Sequence, residues 1–173
     1  MTAADYIKHL NLAPHPEGGY YRETYRATEN IPNASLPPRF GPTNGDRSFA
    51  TAIYFLLPAG EYSAFHRIKS DEGWHFYAGG PIFIHVIEPT GRYTRLPLGP
   101  NLAEGETFQA VVPAGAWFAS EPAPETAFAL VGCTVAPGFD FADFQMAEAA
   151  ALVQLCPEQG DLINRLCRPM TGF

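Results

Sequence analysis

From Thr51 onward, apolar positions recur in short runs separated by turn residues. The runs are Thr51–Leu57, Tyr62–Ile68, Glu72–Tyr77, Ile82–Ile87, Tyr93–Leu98, Thr107–Val112, Trp117–Ser120 and Ala127–Val135. Pro58-Ala59-Gly60, Ala78-Gly79-Gly80-Pro81, Pro89-Thr90-Gly91 and Pro113-Ala114-Gly115 punctuate them. Runs of this length, rich in β-branched and aromatic residues at regular spacing, predict the strands of an all-β sandwich or barrel. No helical pattern interrupts them, which argues against a parallel, helix-linked sheet.

The ends of the chain read differently. Thr2–Leu10 predicts a short helix, with Thr2 as cap, Asp5 three residues later, and Tyr6, Ile7 and Leu10 on one face. His15–Gly19 reads as a turn and Tyr20–Arg26 as a strand. Between 27 and 47 six prolines and glycines predict an irregular loop, either a functional or partner-contacting arm or a plain solvated connection. Asp143–Leu155 carries Phe144, Ala147, Ala151 and Leu155 at helical spacing, and Pro157 separates it from a second helix bearing Leu162, Ile163 and Leu166. The division expected is one domain over 1–173: an N-terminal helix at 1–12, a barrel at 13–142 and helices at 143–168.

Composition narrows the function classes. The 173 residues are 46% hydrophobic and only 17% charged, with 16 glycines and 17 prolines, as suits many strands and tight turns. The net charge is −7 and no Lys/Arg run is present, so neither a nucleic-acid backbone nor an anionic membrane finds a docking surface. No apolar stretch approaches the roughly 20 residues needed to span a bilayer. Met1–Asp5 does not resemble a signal peptide, and three cysteines without a C-x-x-C pair suit a reducing compartment. The reading is a cytoplasmic protein.

The chemistry sits between Gly60 and Gly79. Gly60, His66, Ile68, Glu72 and Gly79 follow the spacing of the first cupin motif, G-x5-H-x-H-x3-4-E-x6-G, with Ile68 in the place of the second histidine. Pro113-x-Gly115-x2-Phe118 resembles the second motif, with Phe118 replacing its histidine. His15-Pro16-Glu17-Gly18-Gly19-Tyr20-Tyr21-Arg22-Glu23, Thr51–Leu57, Ser70-Asp71-Glu72-x-Trp74-His75, Val112-Pro113-x-Gly115-x-Trp117-Phe118 and Val131–Phe139 together resemble the cupin-5 family, long catalogued as a domain of unknown function. The resemblance runs from about His15 to Phe144. It implies an all-β fold, the cupin double-stranded β-helix or jelly-roll barrel, with short N-terminal and C-terminal helices, and a homodimer.

Metal-binding cupins converge three histidines and a glutamate on an ion, so Ile68 and Phe118 delete two ligands here. His66 and Glu72 remain as candidate catalytic residues, a buried histidine acting as general base beside a carboxylate that fixes its tautomer. Ile68, Trp74, Phe118, Tyr62, Arg22 and Ser120 are candidate substrate-binding residues, Arg22 for an anionic group. No cofactor is expected. Were a divalent metal bound, His66 and Glu72 would hold it, with His75 as a third candidate that alternation points the other way. Three functions stay open: a metal-independent isomerase or epimerase acting on a sugar-like or carbonyl-bearing polar molecule, a non-catalytic binder of a small polar ligand, and a metal enzyme with a reduced ligand set.

Overall fold

The computed structural model describes residues 1–42 and 44–168. Helix α1 (Ala3–His9) is followed by strands β1 (Ala13–Pro14), β2 (Tyr20–Arg26), β3 (Asn30–Ile31), β4 (Arg47–Ser48), β5 (Thr51–Pro58) and β6 (Ser63–Arg67). Next come β7 (Asp71–Gly79), β8 (Ile82–Ile87), β9 (Tyr93–Leu98), β10 (Gln109–Val112), β11 (Trp117–Pro122), β12 (Phe128–Ala136) and β13 (Gln145–Met146). Helices α2 (Ala149–Leu155) and α3 (Gly160–Leu166) close the fold. Two antiparallel sheets face each other, one in the order β1-β2-β5-β12-β7-β10 and the other β13-β6-β11-β8-β9. Every strand from β5 to β12 falls within two residues of the run its pattern predicts.

Alternation along the strands sorts the side chains. Phe55, Leu57, Trp74, Ile82, Ile84, Phe118 and Val131 fill the space between the sheets. The opposite faces are apolar too and carry the helices. Tyr6, Ile7 and Leu10 of the α1 region pack on Leu56 and Leu130, and Leu152, Ile163 and Leu166 of α2 and α3 pack on Phe65, Ile87 and Ala119. Thr2 and Asp5 form the expected capping box: the Asp5 amide donates to Thr2 Oγ1 (3.2 Å) and the Thr2 amide to Asp5 Oδ2 (2.8 Å).

Two expectations change. The 27–47 segment is built rather than irregular: it carries the β3–β4 pair and two 3-10 turns, at Asn33–Ser35 and Pro38–Phe40. Its end is anchored by Arg47, which is 2% exposed and donates through Nε and Nη2 to both oxygens of buried Asp143, at 2.6 and 2.8 Å. Arg47 Nη1 gathers the carbonyls of Asn44, Gly45 and Asp46 as well.

The second change is at 143–148, where helical spacing predicts the start of a helix. Asp143 is drawn into the Arg47 pair, and Gln145 instead accepts the Arg67 guanidinium (2.9 and 2.7 Å) while its backbone adds β13 to the edge of the second sheet. Helix α2 therefore begins only at Ala149.

Removing one member of a buried ion pair leaves the other charge uncompensated, at a cost of about 3–5 kcal/mol. Arg47→Met should lower unfolding free energy by about 3 kcal/mol in urea titrations, since Lys69 Nζ, 3.5 Å from Asp143, is a partial substitute. The double variant Arg47→Met/Asp143→Leu should recover much of that loss.

Candidate functional site

The cavity between the sheets holds about 480 Å³ and opens beside the Phe139–Phe141 segment. Period-2 alternation sends Ile53 and Thr51 of β5, His66 of β6, Glu72 of β7, and Cys133 and Val135 of β12 into it. Tyr21 and Glu23 enter from β2 by the same rule. Arg26 does not follow the rule, because Glu23 and Arg26 are an odd number of residues apart. A β-bulge between Glu23 and Tyr25 resets the phase, so Arg26 lies beside Glu23 and donates to its carboxylate at 3.0 and 2.7 Å.

Glu17 enters from the turn between β1 and β2. Gly18 (φ 118°) and Gly19 (φ 70°) press that turn against β5 and β6; a Cβ on Gly18 would lie 2.1 Å from the Tyr62 carbonyl oxygen. The Ala64 amide donates to the Glu17 carbonyl (2.9 Å) and locks the turn to the second sheet. The Glu17 side chain then accepts from the Ser63 hydroxyl (2.9 Å) and meets His66 Nε2 at 3.0 Å.

The hydrogen bonds fix the proton positions. His66 Nδ1 lies 2.7 Å from the Ala64 carbonyl, which can only accept, so Nδ1 carries a proton. Burial holds the ring well below the usual histidine range, at about 4, leaving Nε2 a lone pair. Burial also raises Glu17 above the ordinary carboxylate range. A lone pair and a carboxylate cannot share a 3.0 Å contact without a proton, so Glu17 and His66 hold one between them. His15 Nδ1 accepts the Glu17 amide (3.3 Å), and burial lowers that ring too.

Glu72 is the other buried acid lining the cavity, 8% exposed. Burial, then the second carboxyl Glu17, push it up to about 8, while a hydrogen bond from the Cys133 thiol pulls the other way. Burial drives that thiol in turn well above its ordinary range. At neutral pH Glu72 is a carboxylic acid with a proton to give.

The sequence-derived candidates therefore separate. His66, Ile68 and Glu72 line the cavity together, but the carboxylate in contact with His66 is Glu17 and not Glu72. Trp74 and Phe118 lie deeper, in the core, and do not line the cavity. Phe118 packs tilted against His66, with ring centroids 4.0 Å apart and planes at 55°. Ser120 is fully buried without a hydrogen-bond partner among the described residues. Tyr62 packs with the C-terminal helices under the Arg168 guanidinium. Arg22 points outward over the Tyr54 ring, and Arg26 is the arginine of the cavity.

His75 also faces outward, bonded to Thr134 (3.0 Å) and Gln109 (3.2 Å). Among the described residues no three His, Cys, Asp or Glu side chains gather as metal ligands would. The donor set does not fit the metal that this kind of barrel carries elsewhere: Phe118 fills one ligand position and both His66 nitrogens are engaged. The residues missed from sequence are His15, Glu17, Arg26, Cys133, Phe139, Asp140 and Phe141; the His15–Gly19 motif was the available signal for the first two.

Stability should follow these protons. Glu72 binds a proton up to about pH 8 in the fold but only to 4.5 in the unfolded chain, so its contribution is lost as pH rises between those values. His66, lowered from 6.5 to about 4, acts oppositely below pH 6.5. The net decline should therefore concentrate between pH 6.5 and 8, at up to about 1.4 kcal/mol per pH unit. Urea titrations across pH should show this slope for the native chain and a flatter one for Glu72→Gln.

Comparison with known proteins agrees with this architecture. A Leishmania major hypothetical protein superposes with a TM-score of 0.86 at 34% identity, over 98% of this chain and all of that one. A Shewanella oneidensis protein does so at 0.84 and 41%, over 98% and 99%. The uncharacterized yeast protein YML079W (Saccharomyces cerevisiae) is 32% identical over 79% of this chain and 71% of its own length. Oxalate decarboxylase from Bacillus subtilis shares the fold alone, with a TM-score of 0.52 at 16% identity over 88% of this chain and 36% of that one. The model of Cupin_5, cupin superfamily (DUF985), matches residues 4–147, and the chain belongs to that family.

Proposed function

We propose that this cavity moves a proton on a small, polar, carbonyl-bearing molecule, in the manner of an isomerase or epimerase and without a metal. The observation that supports the reading is the pairing of two kinds of proton site in one enclosed space. Glu72 is an acid poised near pH 8, and the Glu17–His66 pair shares one proton opposite it. A group whose pKa lies near the working pH serves best as acid and base, with effects of about 10²–10⁴-fold in rate.

The step balances with these groups alone. The Glu72 carboxylate takes the proton from the carbon beside the carbonyl, the C–H electron pair becomes the C=C bond of an enol, and the carbonyl oxygen takes the proton shared by Glu17 and His66. Turning over of the enol in the cavity, return of the enol hydroxyl proton to Glu17–His66 and return of the Glu72 proton to the enol's opposite face restore the carbonyl and invert the carbon. Return to the former carbonyl carbon, with the neighbouring hydroxyl giving its proton back to Glu17–His66, moves the carbonyl. Apolar walls of Ile53, Ile68 and Val135 keep water from competing.

A non-catalytic binder is the second reading, favoured by the engagement of both His66 nitrogens within the protein. A homodimer belongs to the same proposal, with Tyr77, Phe108 and Val111 exposed around the β7–β10 edge; light scattering should then return twice the mass of one chain.

Incubation in D₂O with a panel of aldoses, ketoses and their amino and acid derivatives tests the activity. NMR should show loss of the α-proton signal for at least one compound, at a rate that rises with pH up to about 8 as Glu72 ionises. Glu72→Gln should slow exchange at least about 100-fold, and His66→Ala comparably. Chelators should leave it unchanged. A ligand that binds and is returned without deuterium favours the binder.

A further inference from the structure

Four carboxyl groups line the cavity, Glu17, Glu23, Glu72 and Asp140, against one guanidinium, that of Arg26. That guanidinium is already committed. Its Nε and Nη2 donate to Glu23, and its Nη1 donates to the Phe139 carbonyl at 3.1 Å. Arg168 acts on Glu17 only from beyond Gly18, where its guanidinium covers Tyr62. With Glu23 paired to Arg26, an anionic group entering here meets three further acids and, among the described residues, no free cation.

Two further features point to the opposite charge. Glu72 is more than nine-tenths buried and faces the cavity, and among the described residues no nitrogen or oxygen of the protein hydrogen-bonds its carboxyl group; its neighbour is the Cys133 thiol. At the opening stand Tyr21, Phe139 and Phe141, the last two edge to face with centroids 5.0 Å apart, and Phe141 is 54% exposed. Aromatic faces beside acids suit an ammonium group, which a ring quadrupole attracts and a carboxylate neutralises.

We infer that the ligand of this cavity is a cation, a polyhydroxylated small molecule bearing a protonated amine and carrying neither phosphate nor carboxylate. The inference rests on the reading of the cavity as a small-molecule site and narrows it to a charge class. The amine lies between Glu72 and the aromatic opening, and the uncharged remainder reaches toward Glu17 and His66.

The acid–base state of the cavity then couples to binding. Glu72 shares the space with Glu17 and His15 of the turn, His66 of β6, Cys133 of β12, Glu23 and Arg26 of β2, and Asp140 beyond β12. An ammonium beside Glu72 favours its ionised form, so binding expels a proton wherever the empty site holds one. Affinity for the cation should rise with pH toward about 8 and level off above it.

A charge-matched series sharing one six-carbon polyol chain tests this by titration calorimetry at low salt: N-methyl-D-glucamine as cation, D-glucitol as neutral compound and D-gluconate as anion. The cation should bind about tenfold tighter than glucitol, and gluconate more weakly than either. Its binding enthalpy should vary with buffer, reporting proton release, and its affinity should rise between pH 6 and 8. Glu72→Gln, which is close in shape and whose folding circular dichroism can verify, should shrink the cation's advantage below about threefold and abolish proton release. Asp140→Asn should weaken the cation with proton release intact. Equal affinities, tightest binding of gluconate, a cation preference that survives Glu72→Gln, or no binding of any of the three at millimolar concentration would each overturn the inference. The readout is binding without turnover, so it can fail while α-proton exchange is observed, and hold where exchange is absent.

Discussion

A carboxyl group taken out of water must find a cation, a set of donors or a proton, and the interior of this barrel supplies Glu17 with the last. The proton is held against His66, whose other nitrogen is tied to the Ala64 carbonyl. That contact requires the glycine turn to lie flat on β6, the histidine to keep one tautomer, and Phe118 to back its ring. Glu72 is raised first by its own burial and then by Glu17, because a second carboxyl in the same space adds to the cost of ionising it.

The substitution of Ile68 and Phe118 for histidines acquires a positive meaning in this setting. Phe118 occupies volume a metal's ligand would need and restrains the histidine that remains, while Ile68 lines the cavity with hydrocarbon. Both raise the electrostatic cost of charge inside. The polar groups that remain are therefore pushed toward neutral, proton-sharing states.

Most strands were legible because one side of each faces a packed core, and alternation records that directly. The same rule placed His66, Ile68 and Glu72 in one space and turned His75 outward. Arg22 was chosen for its guanidinium and not by that rule; alternation with Tyr21 and Glu23 turns it outward, and the bulge after Glu23 brings Arg26 into the cavity instead. Glu17 was hidden for another reason: a turn has no period, so its direction depends on Gly18 and Gly19 being pressed against strands distant in sequence. The helix expected from Asp143 failed because Arg47, 96 residues earlier, competes for that side chain.

The turn bearing Glu17 belongs by connectivity to the first sheet and by hydrogen bonding to the second. It is a strut between the two layers, and the end that reaches the second layer is a titratable group. The Glu17–His66 separation is thus set by the register between the two layers. The acidity of the interior is in this sense a property of how the two sheets are stacked, as much as of the residues that line it.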